Sequence, residues 1–310
     1  MAERDFIARL SAALATSPAA RGFADDAAVW MPPLGRNLVF THDVLAAGVH
    51  YLADDPPSDV AWKLLAVNLS DLAAMAATPA GVLLGLGLSA AEDDAWRDAF
   101  IAGLARALDH FGVELWGGDT VSGLAQAVLG LTAIGWVEPG RALGRKGAQP
   151  GDAVWVSGTI GDAGLGLAVA KGEAPFDKPL LNRFRRPTPR LALGAVLGGM
   201  ATAGMDVSDG LLIDADRLAA ASGVALCIDL AAVPLSRSAA GLDEVLARAT
   251  AGDDYELLFT APADADMAAL AAPTKTLVTR IGTVAAGSGV MLSFAGQSVP
   301  LPARLGWEHG

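Results

Sequence analysis

GRALGRKGAQPGD, residues 140–152, is the stretch on which the folding of this chain turns. It is basic, carries Gly and Pro, and is short of apolar residues, while the sequence on both sides is strongly apolar. Such a stretch marks a boundary between domains, and the division is set at 1–145 and 146–310. Working back from it, Ala127–Trp136 reads as a strand, Glu92–Phe111 as an amphipathic helix stopping at Gly112, and Gly81–Leu88 as a buried strand. Asp59–Ala77 is expected as a long helix ended by Thr78-Pro79. Asn37–His42 is a short strand, and residues 2–15 form a helix with Phe6, Ile7, Leu10 and Leu14 on one face. Working forward, the pattern gives a strand at Ala153–Val156 and helices from Asp162, over Pro189–Leu197 and over Leu211–Ala221. Further strands fall at Val224–Ile228, Tyr255–Thr260 and Leu277–Ile281. Strands and helices mix without strict βαβ alternation, so the expected class is α+β in two domains. No internal repeat is found.

Composition narrows the function classes. Hydrophobic residues make up 53% of the 310 and charged residues 18%, which suits a chain with a sizeable core. The net charge of −12 argues against nucleic acid as a partner, because a phosphate backbone demands basic surface. The single cysteine, Cys227, excludes a disulfide framework within the chain. The apolar stretches Gly81–Ala91 and Leu191–Met205 are too short or too rich in Gly and Ala for a membrane span. The start, MAERDFIARL, lacks the basic and apolar regions of a signal peptide. The expectation is a cytoplasmic protein with no membrane partner.

The acids carry the chemical signal. They fall at Gly-rich turns or strand ends: GFADDAAV (Gly22–Val29), FTHDVLAAGVHY (Phe40–Tyr51), NLSDLAAM (Asn68–Met75), GGDT (Gly117–Thr120), MDVSDG (Met205–Gly210) and AGDDYELLF (Ala251–Phe259). Hard cations such as Mg²⁺ take carboxylate oxygens together with substrate phosphates. Phosphoryl transfer needs that arrangement. Plainer roles compete. Asp206 and Asp209 each fit as a helix N-cap, and Asp26 and Asp119, beside glycines, fit as turn formers. Asp71 lies inside an apolar helix pattern, where a carboxylate is costly unless paired or metal-bound, so function is favoured there. Asp93, Asp94 and Asp98 read as a solvated helix face.

SGTIGDAGLGL, Ser157–Leu167, leaves a strand and enters a helix, where backbone N–H groups can cradle an anion. It is not a P-loop, and no GxxxxGK[ST], HRD or DFG motif occurs. Arg145 and Lys146 are candidates for nucleotide phosphates or plain members of a basic turn. His50, after a Gly-containing turn, reads as structural or as a ligand contact. No Ser/His/Asp arrangement or Cys/His cluster stands out.

In order, GFADDAAV, THDVLAAGVHY, KLLAVNLSDLAAM, GGDTVSG, SGTIGDAGLGL, RPTPRLALG, MDVSDGLLIDADRLA, AGDDYELLF and a terminal GWEH resemble the thiamine-monophosphate kinase family, from about residue 22 onward. That family belongs to the aminoimidazole ribonucleotide synthetase-like ATP-binding superfamily. The resemblance implies two α/β domains with mixed sheets packed by helices. Residues 1–145 would bind ATP and metal and form a homodimer, and residues 146–310 would complete the nucleotide and substrate site. It implies transfer from ATP to thiamine monophosphate with several Mg²⁺ ions and no phosphoenzyme. It suggests metal roles for Asp26, Thr41, His42, Asp43, Asp71, Asp119, Asp206 and Asp209, with Asp71, Asp119 and Asp206 central to catalysis. Nucleotide contacts would come from Gly118, Asp119, Arg145 and Ser208, and substrate contacts from His50, Asp253 and Trp307.

Three positions depart from the family pattern. His42 stands where Ser or Thr is usual, Asp253 where the GEDYEL motif has Glu, and Ala24 where Gly is usual. Another ATP-dependent synthetase of the superfamily is one alternative. The selenophosphate synthetases use an N-terminal Cys or selenocysteine, and the hydrogenase-maturation relative a C-terminal Cys; this chain has neither. A non-catalytic nucleotide- or thiamine-binding protein is the other.

Overall fold

The computed structural model describes residues 3–308. Ala2 of the expected first helix and His309 of the terminal motif lie outside the described residues. The chain forms two units. One runs up to Leu72 and resumes over Thr78–Pro139; the other takes Ala73–Ala77 and the chain from Gly140 onward.

The first unit contains α1 (Glu3–Leu14), β1 (Asn37–Ala46), α2 (Pro57–Ala74), β2 (Thr78–Ser89), α3 (Asp94–Phe111), β3 (Glu114–Leu124) and β4 (Val128–Val137). The sheet order is β1-β4-β2-β3, with β2–β3 parallel and the other pairs antiparallel. Helix α2 is buried on nearly every side, from Val60 through Ala73, as a central helix with apolar residues all round must be. It ends at Ala74, and Thr78-Pro79 opens β2 instead of only stopping the helix. Helix α3 begins at Asp93, whose side chain accepts the Trp96 N–H at 2.8 Å. The residue read as part of a solvated face is therefore the cap. GGDT, read as a Gly-rich turn or strand end, lies inside β3, so Asp119 is no turn former.

Period-two alternation gives the sheet two unlike faces. Leu45, Leu84, Leu86, Leu129 and Leu131 are buried, whereas Leu38, Phe40, Val44, Leu83 and Val128 are exposed, Phe40 by 62%. One end of that second face is covered by a small cluster of Ala19, Trp116 and Ile134 with Trp30; the rest is open.

The second unit contains β5 (Ala153–Ser157), α4 (Asp162–Ala170), α5 (Lys178–Arg185), α6 (Leu191–Leu197), β6 (Ala203–Val207), α7 (Leu211–Ser222), β7 (Ala225–Asp229), α8 (Leu242–Ala249), β8 (Glu256–Ala261), α9 (Met267–Ala271), β9 (Val278–Ala285), β10 (Gly289–Phe294) and β11 (Gln297–Val299). Its sheet runs β11-β10-β7-β9-β5-β8-β6 and is antiparallel except for β7–β10. Leu258 packs with α7 residues Leu211, Leu212 and Leu218 on one face. Leu257 and Phe259 pack with Leu193, Leu197 and Met267 on the other. With both faces covered, β8 is buried throughout, which is why it reads as a continuous apolar run. The two mixed sheets packed by helices make the fold α+β.

Candidate active-site residues

In the first unit, β1 and α2 bring three candidates together. Positions 41 and 43 are two apart on a strand and share a face. Thr41 Oγ1 donates to Asp71 Oδ2 on α2. One helical turn earlier, Asn68 Oδ1 accepts the Asp43 N–H at 2.9 Å, while its own Nδ2 donates to Leu64 O at 2.9 Å. Because β1 is a sheet edge, its outward N–H groups need partners, and the wholly buried Asn68 supplies one. The strand's two-residue step and the helix's three-residue step thus set Thr41, Asp43 and Asp71 side by side.

His42 does not join them. Alternation turns its side chain to the opposite face, where Nδ1 pairs with Thr132 Oγ1 at 2.9 Å. As a side-chain ligand with Thr41 and Asp43, His42 is misplaced by strand geometry. Asp119 is exposed in β3, with Oδ1 accepting the Thr120 N–H at 2.9 Å. Strand register places it beside Gly85, Gly85 opposite Gly130, and Gly130 opposite Val44. Asp119 therefore belongs to the open face. Gly118 answers a packing demand: a Cβ there would lie 2.0 Å from Leu84 O. Asp26 is exposed in the loop before β1. Ala24, with φ −94, needs no glycine; the left-handed positions are Arg21, Gly22 and Phe23.

His50 is oriented by its own turn. Its Nδ1 accepts the Ala46 N–H at 3.0 Å, which leaves Nε2 as the protonated donor. The buried Lys63 donates to the His50 carbonyl at 2.9 Å.

In the second unit, Asp206 ends β6 almost fully buried. Neither it nor Asp209 caps α7, whose N-cap is Gly210. The loop is held instead from inside the helix: Asp214 Oδ2 accepts the Ser208 and Asp209 N–H groups, both at 3.1 Å. Arg217 Nη1 bridges Asp209 Oδ2 at 2.5 Å and Asp214 Oδ1 at 2.8 Å. Burial pushes Asp214 up to about 6 against these favourable contacts.

Asp253 and Trp307 meet this loop. The Asp253 N–H donates to Ser208 O and the Trp307 N–H to Asp209 O, each at 2.8 Å. Gly306 permits that approach, since a Cβ would sit 2.5 Å from Asp209 O. The Trp307 ring is 55% exposed. Asp253 adopts φ +70, a conformation Asp tolerates better than Glu does. The shorter residue therefore suits the backbone while losing reach. Arg145 stands apart: its carbonyl accepts from Ser222 Oγ at 2.8 Å, at the last turn of α7. Ser208 lies before the other end of α7, whose 12 residues span about 18 Å at 1.5 Å per residue.

Several important charges escaped the sequence reading. The Ser157–Leu167 turn does receive an acceptor group, but it is the carboxyl of Asp254: Oδ2 accepts the Gly161 N–H at 2.6 Å and Oδ1 the Ala163 N–H at 3.2 Å. Burial pushes Asp254 up to about 8, against those N–H groups and Arg183. Glu256 is wholly buried, yet Arg190 and Arg183 hold it below the usual range against the larger effect of burial. Arg190 pairs with both oxygens, at 2.7 and 2.5 Å, and Arg183 Nη2 with Oε1 at 2.7 Å. A signal was present: a Glu within the apolar run YELLF demands partners as much as Asp71 does.

Among the described residues, no group of three or more His, Cys, Asp and Glu side chains forms a metal-binding cluster. The candidates do have the right donor chemistry for Mg²⁺, being carboxylates and a hydroxyl.

The chain matches the AIR synthase related protein N-terminal domain over residues 24–137 and its C-terminal domain over residues 149–293. A thiamine-monophosphate kinase of Caulobacter vibrioides is 43% identical, covering 99% of this chain and 91% of the relative. The crystal structure of thiamine-monophosphate kinase from Stenotrophomonas maltophilia superposes with a TM-score of 0.84 at 41% identity, covering 96% of this chain and 98% of that one. AaThiL complexed with AMPPCP and TMP gives 0.79 at 33% identity, covering 92% and 91%. By this likeness along both domains, the chain belongs to the thiamine-monophosphate kinase family.

Proposed function

We infer that the chain transfers the γ-phosphoryl group of ATP to thiamine monophosphate, giving thiamine diphosphate and ADP. The observation that carries this is the 43% identity to a thiamine-monophosphate kinase over 99% of the chain. The AaThiL complex, which holds an ATP analogue and TMP, supports the choice of both substrates.

In the proposed step an oxygen of the acceptor phosphate attacks the γ-phosphorus, and the bond to the β-phosphate bridging oxygen breaks in line. The acceptor oxygen is already anionic, so no strong base is required; the task is to bring two polyanions together and position them. Bound Mg²⁺ supplies charge neutralisation at the phosphate oxygens. Its proposed ligands are Asp26, Thr41, the His42 carbonyl, Asp43, Asp71 and Asp119 in the first unit, and Asp206 and Asp209 in the second. Thr41 donates to Asp71 and so fixes the direction of that carboxylate. Gly118, Asp119 and Ser208 are assigned to the nucleotide, with Arg145 at a more distant part of it. His50 Nε2–H, Asp253 and the exposed Trp307 ring are assigned to thiamine monophosphate, the ring by stacking on a heteroaromatic group.

We also assign a homodimer, paired through the first unit. Support comes from the open apolar face carrying Leu38, Phe40, Val44, Leu83 and Val128. Phe40→Lys should convert the dimer to a monomer in light scattering; a monomeric parent chain would reject the assignment. No helix among the described residues is long and apolar enough to cross a membrane, and a cytoplasmic location suits the substrates. The decisive assay incubates the protein with ATP, Mg²⁺ and thiamine monophosphate and separates products by chromatography. Thiamine diphosphate is expected; its absence with folded protein overturns the reading.

A further inference from the structure

The segment Asp253–Tyr255 carries two residues in the left-handed region, Asp253 at φ +70 and Tyr255 at φ +51. For a bulky residue such as Tyr this conformation is a strained exception, and it persists only when the surroundings over-determine it. Three sets of contacts do so. The Asp253 and Tyr255 N–H groups donate to Ser208 O and Val207 O, both at 2.8 Å. Between them Asp254, only 1% exposed, sends its carboxyl group into the start of α4, onto the Gly161 and Ala163 N–H groups. Arg183 Nη2 then reaches the Asp254 carbonyl at 3.3 Å and the Thr159 carbonyl at 3.5 Å while pairing with Glu256. On the outer side of the turn, the Tyr255 hydroxyl donates to Asp253 Oδ1 at 3.2 Å. The Asp253 carboxylate is thereby oriented by a side chain that is itself fixed.

We propose that Asp254 and Arg183 are positioning residues for acceptor recognition: they hold the 253–255 turn in its left-handed path and so aim Asp253 at the acceptor, which neither of them touches. This rests on the assignment of Asp253 to thiamine monophosphate. It also removes the turn over Gly158–Gly164 as a phosphate cradle, because the N–H groups of Gly161 and Ala163 are taken by Asp254.

The test compares KM for each substrate in Asp254→Ala, Asp254→Asn and Asp253→Ala, with circular dichroism to verify folding. Asp254→Ala should raise KM for thiamine monophosphate roughly tenfold and leave KM for ATP within about twofold, because misplacement of a binding group weakens only what it binds. Asp254→Asn keeps an acceptor for Gly161 and should give a smaller rise. Folded Asp254→Ala with both KM values unchanged, or both raised alike, overturns the proposal. If Asp254→Ala fails to fold, Arg183→Met decides by the same criterion, since Arg190 still pairs with Glu256. Asp253→Ala separates the two readings. If it leaves acceptor KM unchanged while Asp254→Ala raises it, the turn is positioned but Asp253 is not the contact. If only Asp253→Ala raises it, the contact stands and the positioning role falls.

Discussion

The acids of β1, α2 and β3 and the acids around β6, β8 and α7 look alike in sequence but are used differently. In the first group Asp71 and Asp43 are half-buried and Asp26 and Asp119 exposed. In the second, Asp214, Asp254 and Glu256 are almost or wholly buried and each answers several donors of the chain itself. Only Asp206, Asp209 and Asp253 are assigned to ligands there. The buried acids of the second group hold turns of the chain through donors from its own backbone and arginines.

The largest effect is expected at Asp71. Asp71→Asn should lower turnover by at least about a hundredfold, as loss of a charge in a phosphoryl-transfer site does, with an unchanged melting curve. Near-normal turnover would move Asp71 into the turn-holding class. The converse change is Glu256→Ala, which leaves Arg183 and Arg190 facing each other in a mostly buried site. Breaking a buried pair from one side costs about 3–5 kcal/mol, so urea unfolding should show a large loss of stability. A stable Glu256→Ala variant would mean that the two arginines find other partners.

Stability should also depend on pH through Asp254. Burial raises Asp254 from 3.8 to about 8 in the folded protein. The folded state then holds a proton that the unfolded chain has released, so through this group stability falls as pH rises from about 4 to about 8. Asp254→Asn should flatten that part of the urea-unfolding profile; an unaltered slope would show that Asp254 is ionised in the fold. The smallest effect is expected at Trp307. Trp307→Ala should raise KM for thiamine monophosphate roughly fivefold, in line with about 1 kcal/mol of ring stacking, and Trp307→Phe much less. Equal effects of the two would remove stacking as its contribution.

Much of the frame was legible because it is local. The period of Glu92–Phe111, the stop at Gly112 and the apolar run around Leu257 each declare their element without help from distant residues. The misreadings share one cause, which is tertiary neighbours. Asp93 is exposed as expected, but its capping role was hidden because a cap differs from a surface acid only by the N–H it meets. GGDT looked like a turn because glycine also occurs where strands approach closely, as Gly118 does against Leu84. Ala73–Ala77 looked like the tail of a helix, yet it packs within the second unit, where Leu143 donates to Met75 O at 3.3 Å and a Cβ at Gly194 would meet Ala73 O at 2.1 Å.

Residue type and order along the chain carried the α+β class, the family and the acids from which the proposed site is drawn. The tertiary structure decided which acids share a face. It set Thr41 and Asp43 with Asp71 and turned His42 away, because strand side chains alternate and only the packing of α2 chooses one face. It also gave Asp254 to the start of α4 and Glu256 to two arginines, because a buried carboxylate is defined by the donors that fold around it.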